Sequence, residues 1–144
     1  MQINLCRVIR GGLVAGLLII ISAVTMVPVV GDDMNMALAR FNLPPLSLGA
    51  MVYFAFVSIS MGILLVWLYA ALIPRFGKGP KTALIAAFIL WFMGNLLPNV
   101  ANVFYGFMPV KLTIIGIIWG LGELFVGSLV GTRIYREREG EVQP

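Results

Sequence analysis

Four long apolar runs limit what this chain can fold into more than any other feature of its sequence. They cover about residues 11–30, 47–73, 82–105 and 112–132. A transmembrane helix needs about 20 predominantly apolar residues, so each run is long enough to cross a bilayer. Charged residues make up only 11% of the chain, whereas soluble domains carry about 25%. We therefore predict an all-α polytopic membrane protein, a single domain over residues 1–144 that forms a bundle of four transmembrane helices in the lipid bilayer.

The longest polar interruption, residues 31–45, separates the first two runs. Asp32 and Asp33 suit the start of a helix. Apolar side chains then recur at a helical spacing, at Met34, Leu38 and Phe41. This pattern predicts a short interfacial helix between helices 1 and 2 that ends before Pro44. We interpret it as a connector lying on the lipid headgroups, and the alternative is a lid or docking surface.

Basic residues are distributed unevenly between the two sides of the predicted bundle. Of the ten Lys and Arg residues, eight lie at the amino terminus, in the loop around Lys78 or in the carboxyl-terminal tail. Only Arg40 and Lys111 lie in the other two connections. Because Lys and Arg concentrate in cytoplasmic loops, we predict that both termini are cytoplasmic. The net charge of +4 is then explained by basic residues at the cytoplasmic ends of the helices, and it does not indicate nucleic acid as a partner.

The fourth run contains one carboxylate, Glu123, among glycines. At about 100° per residue, Glu123 and four glycines fall within an arc of about 80°. These glycines are Gly116, Gly120, Gly127 and Gly131. Small residues at such spacing let a second helix approach closely, and an ionisable group inside the membrane is a functional hypothesis by default. We predict a helix-packing face with Glu123 in its groove, and a weaker face of the same kind at Gly12 and Gly16.

The third run carries three amide side chains on one face, within about 60° of one another. They are Asn95, Asn99 and Asn102. If the last two helices run antiparallel, residues equally far from Pro109 in sequence lie at the same depth in the membrane. Asn95 and Glu123 are such a pair. Ser58 then lies in the same layer, and Ser22 lies near it. We predict a polar layer that forms a proton, cation or hydrogen-bond site. We interpret the three amides mainly as hydrogen-bonding groups that hold helices together, at about 0.6 kcal/mol a bond, and the alternative is that they line a path for a solute or ion.

Residue counts remove several chemistries. The chain has no histidine and a single cysteine, Cys6. Imidazole ligation of haem, histidine-based zinc sites and Ser-His nucleophile pairs are therefore excluded. We expect no metal and no cofactor. We also do not expect an enzyme, because only one carboxylate lies within the apolar runs and no base stands near a plausible nucleophile.

The run WLYAALIPRFGKGPKTA, residues 67–83, together with the glycine-rich helices around it, resembles an uncharacterised family of small four-helix bacterial inner-membrane proteins. The resemblance implies a bacterial inner membrane, but it implies no activity and no site residues. A looser likeness is to the small multidrug-resistance transporters, which are also short four-helix proteins with one membrane glutamate. In those proteins the acid belongs to the first helix, whereas Glu123 lies in the fourth. Drug and proton antiport is therefore not carried over.

Two functional hypotheses follow from these patterns. The first is a non-enzymatic structural or accessory subunit that forms a homo-oligomer, or joins a larger membrane complex, through its glycine-rich helix face. The second is a small transporter or channel in which Glu123 binds a proton or cation and the three asparagines line the approach.

Overall fold

The computed structural model describes residues 3–135, which form five α-helices and one short π-helical segment. The elements are α1 (Leu5–Ala39), α2 (Leu48–Phe76), α3 (Pro80–Trp91), the π-helical segment (Phe92–Leu96), α4 (Leu97–Phe104) and α5 (Val110–Ile134). The part from α3 to α4 is one continuous span, so four helices are long and apolar enough to cross a membrane. The prediction of an all-α bundle of four such helices is confirmed. The tail that we assigned to the cytoplasmic side lies outside the described residues from position 136 onward.

The predicted interfacial helix is wrong as a separate element. Residues 31–39 continue α1 without a break. The chain turns away only at Asn42, whose φ of 55° is left-handed. There the Leu43 amide donates to the Leu38 carbonyl at 3.2 Å, as in the Schellman cap that ends many helices. The stop signal is therefore this asparagine, and Gly31 is tolerated inside the helix.

Local sequence also sets the boundaries between α2 and its neighbours. The Ser47 hydroxyl accepts a hydrogen bond from the Ala50 amide at 3.2 Å and caps the start of α2. After α2, Gly77 and Gly79 take φ values of 79° and 141°, which only glycine adopts at little cost. Pro80 then begins α3, where its missing N–H removes no helical hydrogen bond.

The helices form a ring in the order α1, α2, α3 and α5, in which each contacts the next and α5 closes on α1. α2 also contacts α5 across the ring, whereas within residues 3–135 no Cα atom of α1 lies within 8 Å of one in α3. One end, which we call the basic end, carries the start of α1, the loop 77–79 and the end of α5. The opposite end carries the connections 40–47 and 105–109.

The core lies towards the basic end. Leu65 and Val66 of α2 and Ala83 and Ala86 of α3 have no exposed surface. By contrast, neither residues 48–57 of α2 nor any part of α4 contributes a buried residue. Towards the opposite end α2 and α4 are therefore largely exposed, whereas α1 and α5 still contribute the buried residues Ala37, Leu112 and Thr113.

Candidate functional site

Two glycines of α5 lie against α1 of the same chain. A Cβ atom added at Gly131 would lie 2.9 Å from the Gly11 carbonyl oxygen, and one added at Gly127 would lie 3.6 Å from the Ala15 carbonyl oxygen. Both glycines are buried. The close approach of two backbones that we predicted for this face thus occurs inside the bundle, which leaves Gly127 and Gly131 no room for another protein.

The two other glycines of the predicted face, Gly120 and Gly116, differ in whether another side chain covers them. Gly120 is covered by the Asn95 side chain, whose Cγ would lie 3.0 Å from an added Cβ atom. Gly116 has no atom within 4 Å of such a position and is exposed. Within residues 3–135, Gly116 therefore packs against no other helix.

The closest helix crossing joins α1 and α2 and includes a glycine that the sequence analysis did not assign. A Cβ atom at Gly62 would overlap the Gly12 carbonyl oxygen and lie 2.7 Å from the Gly16 Cα. Gly16 in turn would place a Cβ 2.8 Å from the carbonyl oxygen of Ser58, which is buried. Ser58 and Gly62 are four residues apart and form a small-xxx-small step, a signal that could have identified the crossing.

Glu123 lies on the seam where α5 meets α1, beside two polar side chains. Its carboxyl group has Ser22 of α1 and Trp119 of α5 as polar neighbours. The Trp119 indole N–H donates to the Ser22 hydroxyl at 3.0 Å. One carboxyl oxygen, Oε1, is buried and has no hydrogen-bond partner. No Lys or Arg lies in α1 after Arg10 or in α5 between Lys111 and Arg133, so no basic side chain at this depth of either helix can neutralise the acid.

The three asparagines do not line one common space. Asn95 is half-buried against α5, and its Oδ1 has no hydrogen-bond partner. The Asn99 side chain donates to the Asn95 carbonyl at 2.9 Å and so stays on its own helix. Asn102 lines a groove at the opposite end of the bundle. The π-helical segment is one cause, because its wider turn shifts Asn95 from the regular 3.6-residue spacing that we assumed.

The predicted polar layer is only partly assembled. Ser22 and Glu123 do meet, but Asn95 contacts Gly120, which lies about 60° around α5 from the acid. Ser58 is buried at the crossing of α1 and α2 instead. Among the described residues, no hydrogen bond joins Glu123 to any of the three asparagines or to Ser58. Residues at the same depth in the membrane therefore need not be in contact, because depth does not determine the side of the helix on which a side chain lies.

Within residues 3–135, no group of three His, Cys, Asp or Glu side chains could hold a metal ion. The fold and the long apolar helices define a small, multi-pass integral membrane protein. Comparisons with protein-family models, with curated proteins and with solved structures give no match for the chain.

Proposed function

We propose that this membrane protein is a non-enzymatic structural or accessory subunit that associates with a second copy of itself around Glu123. The observation that carries the proposal is the place of this carboxyl group on the seam between α1 and α5. Glu123 and Ser22 are half-buried and Trp119 is 42% exposed, so the cluster lies at the edge of the bundle, with one carboxyl oxygen, Oε1, buried. Lipid tails offer no hydrogen bonds, and a charged side chain costs about 2.5 kcal/mol or more at mid-bilayer.

The surface beside this cluster has a shape that suits a second helix. Gly122 has no atom within 4 Å of an added Cβ position. It is flanked by two exposed apolar side chains, Ile118 and Val126. We call Ser22, Ile118, Trp119, Gly122, Glu123 and Val126 together the Glu123 surface. A small residue between apolar ones allows close backbone approach, which drives helix association in lipid.

A two-fold arrangement would satisfy the polar groups of both copies. In such a dimer the same patch meets itself, so that each carboxyl group faces the Ser22 hydroxyl or the carboxyl group of the other copy. A protonated carboxyl group can donate one hydrogen bond and accept others, so two such groups are self-complementary. This arrangement replaces the glycine face predicted from sequence, most of which already packs within the chain. A larger membrane complex would use the same surface.

Cysteine crosslinking in native membranes tests the proposal. In a Cys6→Ser background, Gly122→Cys places a thiol on the Glu123 surface, and Ile89→Cys places one on the exposed side of α3 as a matched control. We expect a product of two chains at position 122 and none at position 89. Absence of the product at 122, or equal yields at the two positions, would contradict self-association. A product that contains a different protein would assign the surface to a larger complex and would also exclude the homo-oligomer.

The second candidate function is a proton- or cation-coupled small transporter or channel. The buried, unpartnered Oε1 atom of Glu123 favours it, because an ionisable group without a partner is free to take up a proton or bind a cation. The separate positions of Asn95, Asn99 and Asn102 give it less support. Liposomes loaded with a pH-sensitive dye distinguish the two functions. A transporter should dissipate an imposed pH gradient and lose this activity on Glu123→Gln, whereas a structural subunit should leave the gradient as in protein-free vesicles.

We also propose that the protein lies in a bacterial inner membrane with both termini in the cytoplasm. Of the eight Lys and Arg residues in the described chain, six lie at the basic end and two, Arg40 and Lys111, lie at the opposite end. There the Lys111 ammonium pairs with the Asp33 carboxylate at 2.8 Å, which reduces the net positive charge further. This asymmetry supports a cytoplasmic basic end. The bacterial location rests on the family resemblance alone.

A further inference from the structure

A groove with mainly apolar walls opens at the opposite end of the bundle, between the end of α1 and the connection that precedes α5. Its volume is about 370 Å³, within the range of about 300–1,000 Å³ typical of ligand pockets. Apolar lining is supplied by Leu38, Phe41, Leu43, Phe107 and Met108. The Phe41 and Phe107 rings meet edge to face, with centroids 6.0 Å apart. The groove is thus a shaped apolar surface that the rest of the chain leaves open.

A charged cavity adjoins this groove and shares Ala37 with it. Its volume is about 170 Å³, and its charged lining residues are Asp33, Arg40 and Lys111. Lys111 is paired with Asp33. Arg40 is exposed, and its guanidinium group makes no ion pair within residues 3–135. Two cations and one anion leave a local charge of +1, which matches the single negative charge of a phosphate diester.

We propose that these two neighbouring cavities form a binding site for one phospholipid of the adjacent leaflet. Arg40 and Lys111 bind the phosphate, and the first part of one acyl chain occupies the groove beside Phe41 and Phe107. Guanidinium groups suit this role because their forked N–H donors match phosphate oxygens. The site lies where the apolar helices end, which is the level at which the phosphates of a bilayer lie. It is separate from the Glu123 surface, so either proposal can fail without the other.

Asn102 adds a polar contact inside the groove. Its carbonyl oxygen accepts from the Phe107 amide at 2.9 Å, but its side-chain amide makes no hydrogen bond within the described part of the chain. A lipid presents ester carbonyl groups just below the phosphate, and the amide N–H groups of Asn102 can donate to them. A free phosphate ion would leave both the apolar walls and this amide unused. The combination therefore favours a phospholipid over a soluble anion.

Native mass spectrometry of the full-length protein tests this site. The purified protein is mixed with equal amounts of phosphatidylglycerol, which carries a net negative charge, and phosphatidylcholine, which is neutral overall. Both lipids carry the phosphate diester, but the choline ammonium group is repelled by the two cations of the site, so we expect the first bound lipid to be enriched in phosphatidylglycerol. Arg40→Gln should lower this enrichment by about fivefold, the effect of about one basic residue. Lys81→Gln, which removes an exposed positive charge at the basic end, is the matched control and should leave the ratio unchanged.

A second variant and a competitor separate a lipid site from an anion site. Leu43→Trp fills the groove from an exposed loop position, so we expect it to reduce binding of both lipids while the charged cavity stays intact. Inorganic phosphate should not displace the bound lipid. Equal loss of enrichment in Arg40→Gln and Lys81→Gln, unchanged lipid binding in Leu43→Trp, or displacement by phosphate alone would each overturn the proposal.

Discussion

Replacing Gly62 by alanine should be among the most destabilising single-methyl changes in the bundle. The new Cβ atom would overlap the carbonyl oxygen of Gly12 and the amide nitrogen of Gly16. Both are backbone atoms that cannot rotate away, so α1 and α2 must move apart. Overpacking of this kind costs about 1–3 kcal/mol, and we expect a value near the upper end. Alanine also removes the helix penalty of glycine, a gain of about 0.5–1 kcal/mol.

Gly116→Ala is the matched control, because it brings the same gain at a helical position that has no atom within 4 Å and lies outside the Glu123 surface. The difference in the free energy of unfolding between the two variants therefore isolates the overpacking cost at Gly62. It can be measured by SDS-induced unfolding in mixed micelles, with tryptophan fluorescence as the signal. We expect Gly62→Ala to be less stable than Gly116→Ala by about 3 kcal/mol. Equal stability of the two variants would refute the close crossing of α1 and α2.

The remaining predictions concern orientation and one contact between helices. In a Cys6→Ser background, a membrane-impermeant thiol reagent should label Asp32→Cys from outside the cell and Lys81→Cys only after the membrane is opened; the reverse pattern would overturn the orientation. Trp91→Phe removes the hydrogen bond from the Trp91 indole to the Ile117 carbonyl, 2.9 Å long, and should lower the free energy of unfolding by about 0.6–1.7 kcal/mol. A loss no larger than that of Trp67→Phe would show that this bond adds nothing to stability.

The fold class was predictable because hydropathy and length suffice for it. Runs of about 20 apolar residues must satisfy their backbone groups internally in lipid, and helices do so. The boundaries were less predictable, because they depend on local stop signals. Gly31 and the two aspartates after it suggested that the first helix ends there. Instead, α1 continues past them and ends by a left-handed turn at Asn42. An asparagine followed by Leu-Pro-Pro was a readable signal of this end.

The candidate site was predictable in its residue types but not in its contacts. Helical periodicity grouped Gly120, Gly127 and Gly131, which all contact the rest of the bundle. It could not say that their neighbours would be Asn95 and α1 of the same chain. Glu123 differs from these glycines by only a few tens of degrees around α5, which is enough to move it to the edge of the seam. Such angles depend on how far helices splay, and no single helix encodes that.

Dimerisation in lipid bilayers at controlled protein density tests the central proposal most directly. Single-molecule photobleaching can count chains per spot for the wild type, for Glu123→Leu and for Ser60→Ala, whose hydroxyl bonds only its own helix at the Phe56 carbonyl. We expect a dimer that forms as density rises and that Ser60→Ala leaves unchanged. Glu123→Leu should weaken it by about 3- to 18-fold, the value of one interhelical hydrogen bond of about 0.6–1.7 kcal/mol. A wild-type protein that stays monomeric at every density, or a Glu123→Leu variant that dimerises equally well, would contradict self-association through Glu123.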